Sequence, residues 1–471
     1  MIPFVSVDDF TGTDQSRINQ AIAAITPTGG TIIFPKRTYT IDNFTLLSHM
    51  SVLGNGSTIT RTADVNAPFI DLAQYATNVN ISGLIFNGNK ATQTQNNAGA
   101  IRCTLNQDVN ITNCVFNEVL RVAVVIDSCI RVNVSNVSFN RLGRVGAGQG
   151  VSVSITSSKD IVVENASTVD NYGEGTSVVS SQGVIFRNHT YTIGNPTFSG
   201  GDNAITFTQC ADFVVENIEA SHMQNAGIEI NACDRFKLSN LNLHDNASYN
   251  LMISVFTPGG AEISSTNGEV SNVISQNAGG FAGVNIIGSH HISFNNITDN
   301  KRVRFALSAT GIPSMNVEIK NSTFNELEIS GSKDVRILNT TFVTPLISGS
   351  TYSLINFQNK FETYFQADLN NNASITVKIP ETAAGGTTFF CGTLNVDNTF
   401  AASASLQFTS RIVHIKLIWD KLYQNVISTL QGSVTSREFV ITGGSNTLTI
   451  KNISGVATTL RGRLVGTVDM Y

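Results

Sequence analysis

The chain is poor in charged residues and proline and has no long apolar run. Charged residues make up only 13% of its 471 residues, and prolines number 9. A membrane-spanning helix needs about 18 or more consecutive apolar residues, and no stretch approaches that length, so membrane insertion is not expected. The net charge of −5 and the lack of a basic run argue against nucleic acid as a partner. Because 41% of the residues are hydrophobic, the chain is not expected to be disordered.

The start of the chain and its cysteines exclude further classes. The opening MIPFVSVDDF has neither a basic segment nor an apolar core and does not predict a signal peptide. None of the six cysteines forms a CxxC pair, and five lie in the repeat described below, so we interpret them as small buried side chains rather than metal ligands or a disulfide framework. No tight acidic motif for calcium is visible, and neither a metal nor another cofactor is expected.

What the chain has in excess is glycine, with 38 residues, together with asparagine and threonine, as is typical of a strand-rich protein. Runs such as VNITNCVF (109–116) alternate with the period of two of a β-strand. An asparagine follows the first strand of each repeat, and from Asn113 to Asn240 the spacings are 23, 29, 23, 29 and 23 residues. The series consists of Asn113, Asn136, Asn165, Asn188, Asn217, Asn240, Asn272, Asn296, Asn321 and Asn339.

A period of 20 to 30 residues with strand alternation predicts a solenoid, here an all-β parallel β-helix. Each coil would be one period, and successive coils would stack at about 4.8 Å, the spacing of hydrogen-bonded strands. Asparagine tolerates the left-handed backbone of a tight corner, and stacked asparagine side chains can hydrogen-bond along the stack. Residues one period apart in the sequence are therefore expected to be neighbours in space.

Different patterns mark the two ends of the repeat. Residues 15–25 predict a short helix, capped by Asp14, that covers the open end of the solenoid. Its apolar face consists of Ile18, Ala21, Ile22 and Ile25. After Phe342 the register is lost, and the remaining segments predict antiparallel strands of a β-sandwich-like domain. The predicted domains are a cap with the first strand (1–45), a β-helix (46–345) and a C-terminal β-sandwich-like domain (346–471).

Three segments near the start carry a resemblance: VDDFTGTD (7–14), INQAI (18–22) and GGTIIFPKRTYTI (29–41). They resemble the N-terminal signature of the pectate-lyase-like β-helix superfamily, which phage tailspikes and capsule depolymerases commonly carry. Lys36-Arg37 stand before Thr38, where the usual signature has glycine. The resemblance implies a right-handed β-helix, carbohydrate chemistry, and a C-terminal domain that helps a homotrimer form or binds glycan.

Functional groups on such a scaffold must point outward, since inward positions are apolar. In one strand Ile228 and Ile230 face the interior, so Glu229 and Asn231 are expected to face out. We call the outward side chains of this strand and its neighbours the outer stripe. The aligned neighbours are Thr206 and Thr208 one coil before, and Met252 and Ser254 one coil after.

A second candidate group lies at the corner five residues beyond the asparagine of each repeat. We call these positions the corner row; its polar members are Glu118, Asp170, His222, Asp245 and Asn277. His222 and Asp245 belong to adjacent coils, and a histidine beside a carboxylate can act as an acid–base pair or form a simple surface contact.

Longer coils at 141–150, 193–202 and 256–269 predict a groove beside the outer stripe, because long loops tend to carry function. Trp419 either stacks on sugar or is buried in a core. The side chains expected to perform catalysis are Asp170, Glu174, Asp202, His222 and Glu229. The side chains expected to bind substrate are Asp245, Tyr172, Arg121, Asn231 and Trp419.

Glycoside hydrolysis needs one protonated and one ionised carboxyl group, about 5–5.5 Å apart in retaining enzymes and about 6.5–9.5 Å apart in inverting ones. Stacked coils offer both separations, and we predict Glu229 with Asp202 or Glu174 as the pair, supported by His222. One alternative is a lyase that eliminates across a uronate and needs a base and a cation. Groups for that role are Arg102, Arg121, Arg141, Arg144 and Tyr172. A non-catalytic receptor-binding fibre with the same groove is the other alternative.

Together with the resemblance, these features predict a homotrimeric phage tailspike that binds and depolymerises bacterial surface polysaccharide, either capsule or O-antigen. Such a protein belongs to the virion tail and acts extracellularly at the host surface. The capping signature follows Met1-Ile2-Pro3 directly. We therefore expect a virion-attachment region to be missing from the chain or to lie elsewhere.

Overall fold

The computed structural model of the protein forms two compact units, Met1–Val284 and Asn285–Tyr471. Side chains are described as far as residue 342, and only the strands are described beyond it. The described ranges are 3–61, 64–94, 99–144, 150–193, 202–348, 351–357, 360–369, 374–378, 388–402, 405–418, 421–431, 439–444, 447–452 and 458–470. No helix within these ranges is both long and apolar enough to cross a membrane.

The first unit consists of stacked coils, each with a short strand and a longer strand. Its helices are the 3₁₀ turns Val7–Asp9 and Pro258–Gly260 and the α-helix α1 (Asp14–Ile25). Its strands are β1 (Phe4–Ser6), β2 (Gly30–Ile33), β3 (Thr38–Thr40), β4 (Phe44–Leu46), β5 (Met50–Thr60), β6 (Ile70–Leu72), β7 (Thr77–Asn87), β8 (Ile101–Thr104), β9 (Gln107–Thr112), β10 (Val115–Asn117), β11 (Val124–Asp127), β12 (Ile130–Asn140), β13 (Val153–Thr156), β14 (Lys159–Val169), β15 (Thr176–Val179), β16 (Ile185–Thr192), β17 (Ile205–Thr208), β18 (Ala211–Ser221), β19 (Ala226–Asn231), β20 (Asp234–His244), β21 (Tyr249–Ser254) and β22 (Thr266–Gln276).

Every strand pairs in parallel with its counterpart one coil away. The short strands β15, β17, β19 and β21 form one such series, and the long strands β14, β16, β18, β20 and β22 form another. The fold is a right-handed parallel β-helix, as predicted from the repeat and the resemblance.

The interior of the first unit is apolar, and side chains of the same type stack on one another in successive coils. The rings of Phe86, Phe116 and Phe139 lie one coil apart with centroid separations of 4.9 and 5.0 Å. All three rings are fully buried, so they contribute both apolar burial and favourable offset stacking. The five cysteines of the repeat are free and buried, as predicted.

Within the first unit the asparagine series is a column in space, which confirms the prediction there. All ten residues have left-handed backbones, with φ between 46° and 59°. Five consecutive members in the first unit are joined by side-chain hydrogen bonds of 2.9–3.0 Å: Asn165, Asn188, Asn217, Asn240 and Asn272. Each of these five asparagines thus occupies a corner that few residue types adopt, and side-chain amides link neighbouring corners.

Helix α1 was predicted with the wrong cap. Thr13 is the N-cap, and its hydroxyl accepts a hydrogen bond from the Ser16 amide at 3.3 Å. Asp14 instead accepts from the Thr40 amide at 2.9 Å and pairs with Arg37 at 2.8 Å. The cap residue of the helix therefore lies one position earlier, while Asp14 ties the helix to β3.

The second unit begins with parallel strands and continues with antiparallel ones. Parallel pairing extends from β24 to β29, and antiparallel pairing starts between β29 and β30. The strands are β24 (His290–Ala306), β25 (Met315–Lys320), β26 (Thr323–Ser330), β27 (Lys333–Leu338), β28 (Thr341–Ser348), β29 (Thr351–Phe357), β30 (Lys360–Leu369), β31 (Ser374–Lys378), β32 (Thr388–Ala402), β33 (Ser405–Ile418), β34 (Lys421–Gln431), β35 (Phe439–Gly444), β36 (Thr447–Asn452) and β37 (Thr458–Met470), while β23 (Val284–Ile287) spans the boundary between the units.

Antiparallel pairs build two sheets in the second unit. One contains the consecutive pairs β29–β30, β30–β37, β37–β32, β32–β33 and β33–β34, and the other contains β31, β36 and β35. The domain boundaries predicted at 45/46 and 345/346 stay predictions. Trp419 lies outside the described residues.

Candidate active site

The outer stripe is formed by the short strands, in the register predicted from the sequence. Thr206 lies beside Glu229, and Glu229 lies beside Met252, on β17, β19 and β21. Ile228 and Ile230 are fully buried. The alternation within β19 therefore directs Glu229 outward, where it remains half-buried.

A cluster of carboxylates surrounds this part of the stripe. Glu174 lies two residues before β15, and its Oε1 accepts a hydrogen bond from the Thr206 hydroxyl at 3.3 Å. Burial raises the pKa of Glu174, hydrogen bonds from Ser177 and Thr206 oppose that rise, and the charges of Asp202 and Glu229 add to it. We call Glu174, Asp202 and Glu229 the carboxylate cluster.

Asn203 orders the cluster and was missed by the sequence analysis. Its side-chain amide donates to Glu229 Oε2 at 2.5 Å and to the Thr206 hydroxyl at 3.0 Å. Its carbonyl oxygen accepts from the Ala226 amide at 2.8 Å, and the residue is only 3% exposed. A buried amide with every group bonded fixes the Glu229 side chain. Its place beside Asp202, just before β17, was the signal available in the sequence.

Two of the candidate arginines pair with carboxylates outside the cluster. In the described part of the first unit, the ion pairs include neither Glu174 nor Glu229, whereas Arg102 pairs with Asp71 and Arg141 pairs with Glu118. Glu174 and Glu229 are linked to each other through the Thr206 hydroxyl and the Asn203 amide. Among the described residues, no group of three or more histidine, cysteine, aspartate or glutamate side chains is arranged to hold a metal ion.

The corner row is a column of left-handed residues. Its five predicted members have φ between 52° and 62°. Asp245 accepts from His244 Nδ1 at 2.7 Å and from the Asn277 amide at 3.1 Å, and these bonds lower the pKa of Asp245. The direct partner of Asp245 is thus His244, while the more distant His222 acts on that pKa through its charge.

A pocket of about 490 Å³ opens at the corner row. The residues that line it are Thr192, Ile193, His222, Met223, Gln224, Asp245 and Ala247. The 193–202 loop is described only at its ends: Ile193 borders the pocket, and Asp202 belongs to the carboxylate cluster. His222 and Asp245 both line this pocket, and their role as an acid–base pair stays a prediction.

The remaining predicted residues are not members of the carboxylate cluster. Burial lowers the pKa of Lys90, and the charge of Asp170 opposes that lowering. The Tyr172 amide donates to the Leu142 carbonyl at 2.9 Å. Arg121 is half-buried in the turn before β11, and Asn231 ends β19. Their catalytic or binding roles stay predictions.

Known proteins share the fold at low sequence identity. No protein-family model matches the chain, and no curated protein sequence matches it. The Dettilon tailspike protein matches over 99% of this chain and 94% of its own, with 11% identity and a TM-score of 0.52. The A-module of the Azotobacter vinelandii mannuronan C-5 epimerase AlgE4 matches over 73% of this chain and 97% of its own, with 13% identity and a TM-score of 0.51. At these identities the likeness shows the fold.

Proposed function

We propose that the protein is a tailspike depolymerase that hydrolyses glycosidic bonds in a bacterial capsular or O-antigen polysaccharide. The observation that carries the proposal is a half-buried carboxyl group with a raised pKa, Glu174, that interacts with Asp202 and Glu229. The likeness of nearly the whole chain to a tailspike protein supports the biological setting. In that setting the chain is a homotrimer on the virion tail.

Glu174 is the general acid in this proposal. Its raised pKa favours the protonated form that can donate to the leaving oxygen, because burial and two neighbouring carboxylates disfavour ionisation. Glu229 is the partner, held by Asn203, and acts as nucleophile or as base for water. Asp202 adds to the raised pKa of Glu174 by its charge and is the second candidate for the partner role.

Electrostatics favour hydrolysis over elimination at this site. A uronate substrate would bring another negative charge beside Asp202 and Glu229, and the enolate formed by proton abstraction needs a cation or donors to stabilise it. Arg102 and Arg141, two candidates for that role, are bound to Asp71 and Glu118. The sugar next to the cleaved bond is therefore proposed to be uncharged.

The test is to incubate the protein with a panel of purified capsular and O-antigen polysaccharides. New reducing ends without the ultraviolet absorbance of an unsaturated sugar support hydrolysis, whereas that absorbance indicates elimination. Polymer that is bound but never shortened indicates a receptor-binding fibre. Glu229→Gln should abolish cleavage, while Glu269→Gln, which changes an exposed carboxyl on β22, should leave it intact.

A further inference from the structure

Tyr249 and Phe281 form an aromatic pair on the surface of the first unit. Their ring centroids are 5.5 Å apart with an interplanar angle of 89°. Phe281 is 46% exposed, and Tyr249 is half-buried at the start of β21. A perpendicular pair of this kind offers one ring face and one ring edge to an apolar surface.

Backbone hydrogen bonds place the aromatic pair on the same side as the carboxylate cluster. The Asn225 amide donates to the Asp202 carbonyl at 2.8 Å, Ser248 donates to Asn225 at 2.9 Å, and Gly280 donates to Ser248 at 2.7 Å. These bonds form one ladder of three coil steps, so Gly280 lies about 14 Å along the stack from Asp202. Phe281 directly follows the last member of the ladder.

The pocket includes a residue of the turn that leads to Tyr249. Ala247 lines the pocket and precedes Tyr249 by two residues, and its amide donates to the Met223 carbonyl at 2.8 Å. Gln224 and Asp245 add hydrogen-bonding groups to the pocket. The polar pocket and the aromatic pair therefore share the turn before β21, as in sites that combine apolar contact with a few polar groups.

We propose that Tyr249 and Phe281 are a sugar-stacking subsite that binds a pyranose ring of the polysaccharide in the two coils that follow Glu229. The inference rests on the proposed function and extends it: the polysaccharide lies along the coil axis, from the carboxylate cluster to the aromatic pair. Such a subsite contributes to the binding of long chains and nothing to the binding of fragments that end before it. The enzyme should therefore cut within chains.

The test compares Phe281→Ala and Tyr249→Ala with the unmodified protein, each also in a Glu174→Gln background that does not cleave. Binding of the polysaccharide to the non-cleaving proteins should weaken about tenfold when a ring is removed. In the active background, KM for polymer should rise while cleavage of the shortest accepted oligosaccharide stays unchanged. Phe281→Leu keeps apolar volume without a ring face and should behave like the alanine variant. Tyr75→Ala removes an aromatic side chain that is 71% exposed and serves as the control.

Equal binding with and without the rings would overturn the subsite. A change of oligomeric state on ring removal, measured by sedimentation, would also overturn it, because the pair would then be a contact between copies of the chain. If the unmodified protein binds polymer but releases no reducing ends, hydrolysis fails as the function. A ring-dependent affinity in that case would still support the subsite.

Discussion

Replacing Glu174 by glutamine removes an acidic proton and keeps the shape of the side chain. The amide carbonyl can still accept the hydrogen bonds from Ser177 and Thr206. A positioned general acid contributes about 10²- to 10⁴-fold to the rate. The expected fall in kcat therefore corresponds to about 3–5 kcal/mol in the activation barrier.

Stability should change in the opposite direction to activity. The folded-state pKa of Glu174 is raised, so its contribution to stability is full below the unfolded-state pKa and is lost as pH rises through the folded-state value. At neutral pH the glutamine variant carries no such dependence and avoids repulsion from Asp202 and Glu229. Its free energy of unfolding should equal or exceed that of the unmodified protein.

The assay combines reducing-end release on an accepted polysaccharide with urea unfolding, both measured across pH. In the unmodified protein the alkaline limb of kcat/KM should report the raised pKa of Glu174, and the variant's residual rate should lack that limb. Full activity in the variant would refute the assignment of Glu174 as the acid. A marked loss of stability would show that Glu174 has a structural role instead.

Three further perturbations test the scaffold and the corner. Asn217→Ala removes a left-handed asparagine with two ladder bonds and should destabilise the protein by about 1–3 kcal/mol in urea unfolding. Gly175→Ala should lower both stability and kcat, because a Cβ there would meet the Tyr191 ring at 2.5 Å and displace the neighbouring Glu174; unchanged values would contradict this packing. The lowered pKa of Asp245 stabilises the fold at higher pH, and this stabilisation is lost as pH falls through the folded-state pKa. In Asp245→Asn, the free energy of unfolding should therefore fall less steeply at acidic pH.

The repeat and the alternation within strands were sufficient to predict the fold and the outer stripe. Stacking in a β-helix follows directly from period, so the spacing of asparagines such as Asn217 and Asn240 placed them in contact without any knowledge of tertiary structure. The same rule aligned Glu229 with Thr206 and Met252, because alternation decides which side chains face out.

Tertiary structure alone decided which side chains touch. The spacing in the sequence predicted that His222 pairs with Asp245. The hydrogen bond to Asp245 comes instead from His244, since the direction of a side chain at a corner depends on the local left-handed turn. The raised pKa of Glu174 depends on burial and on charges from two other coils, which no local pattern encodes. Asn203 joins Glu229 to Thr206 across coils of unequal length, so only the folded chain brings these groups together.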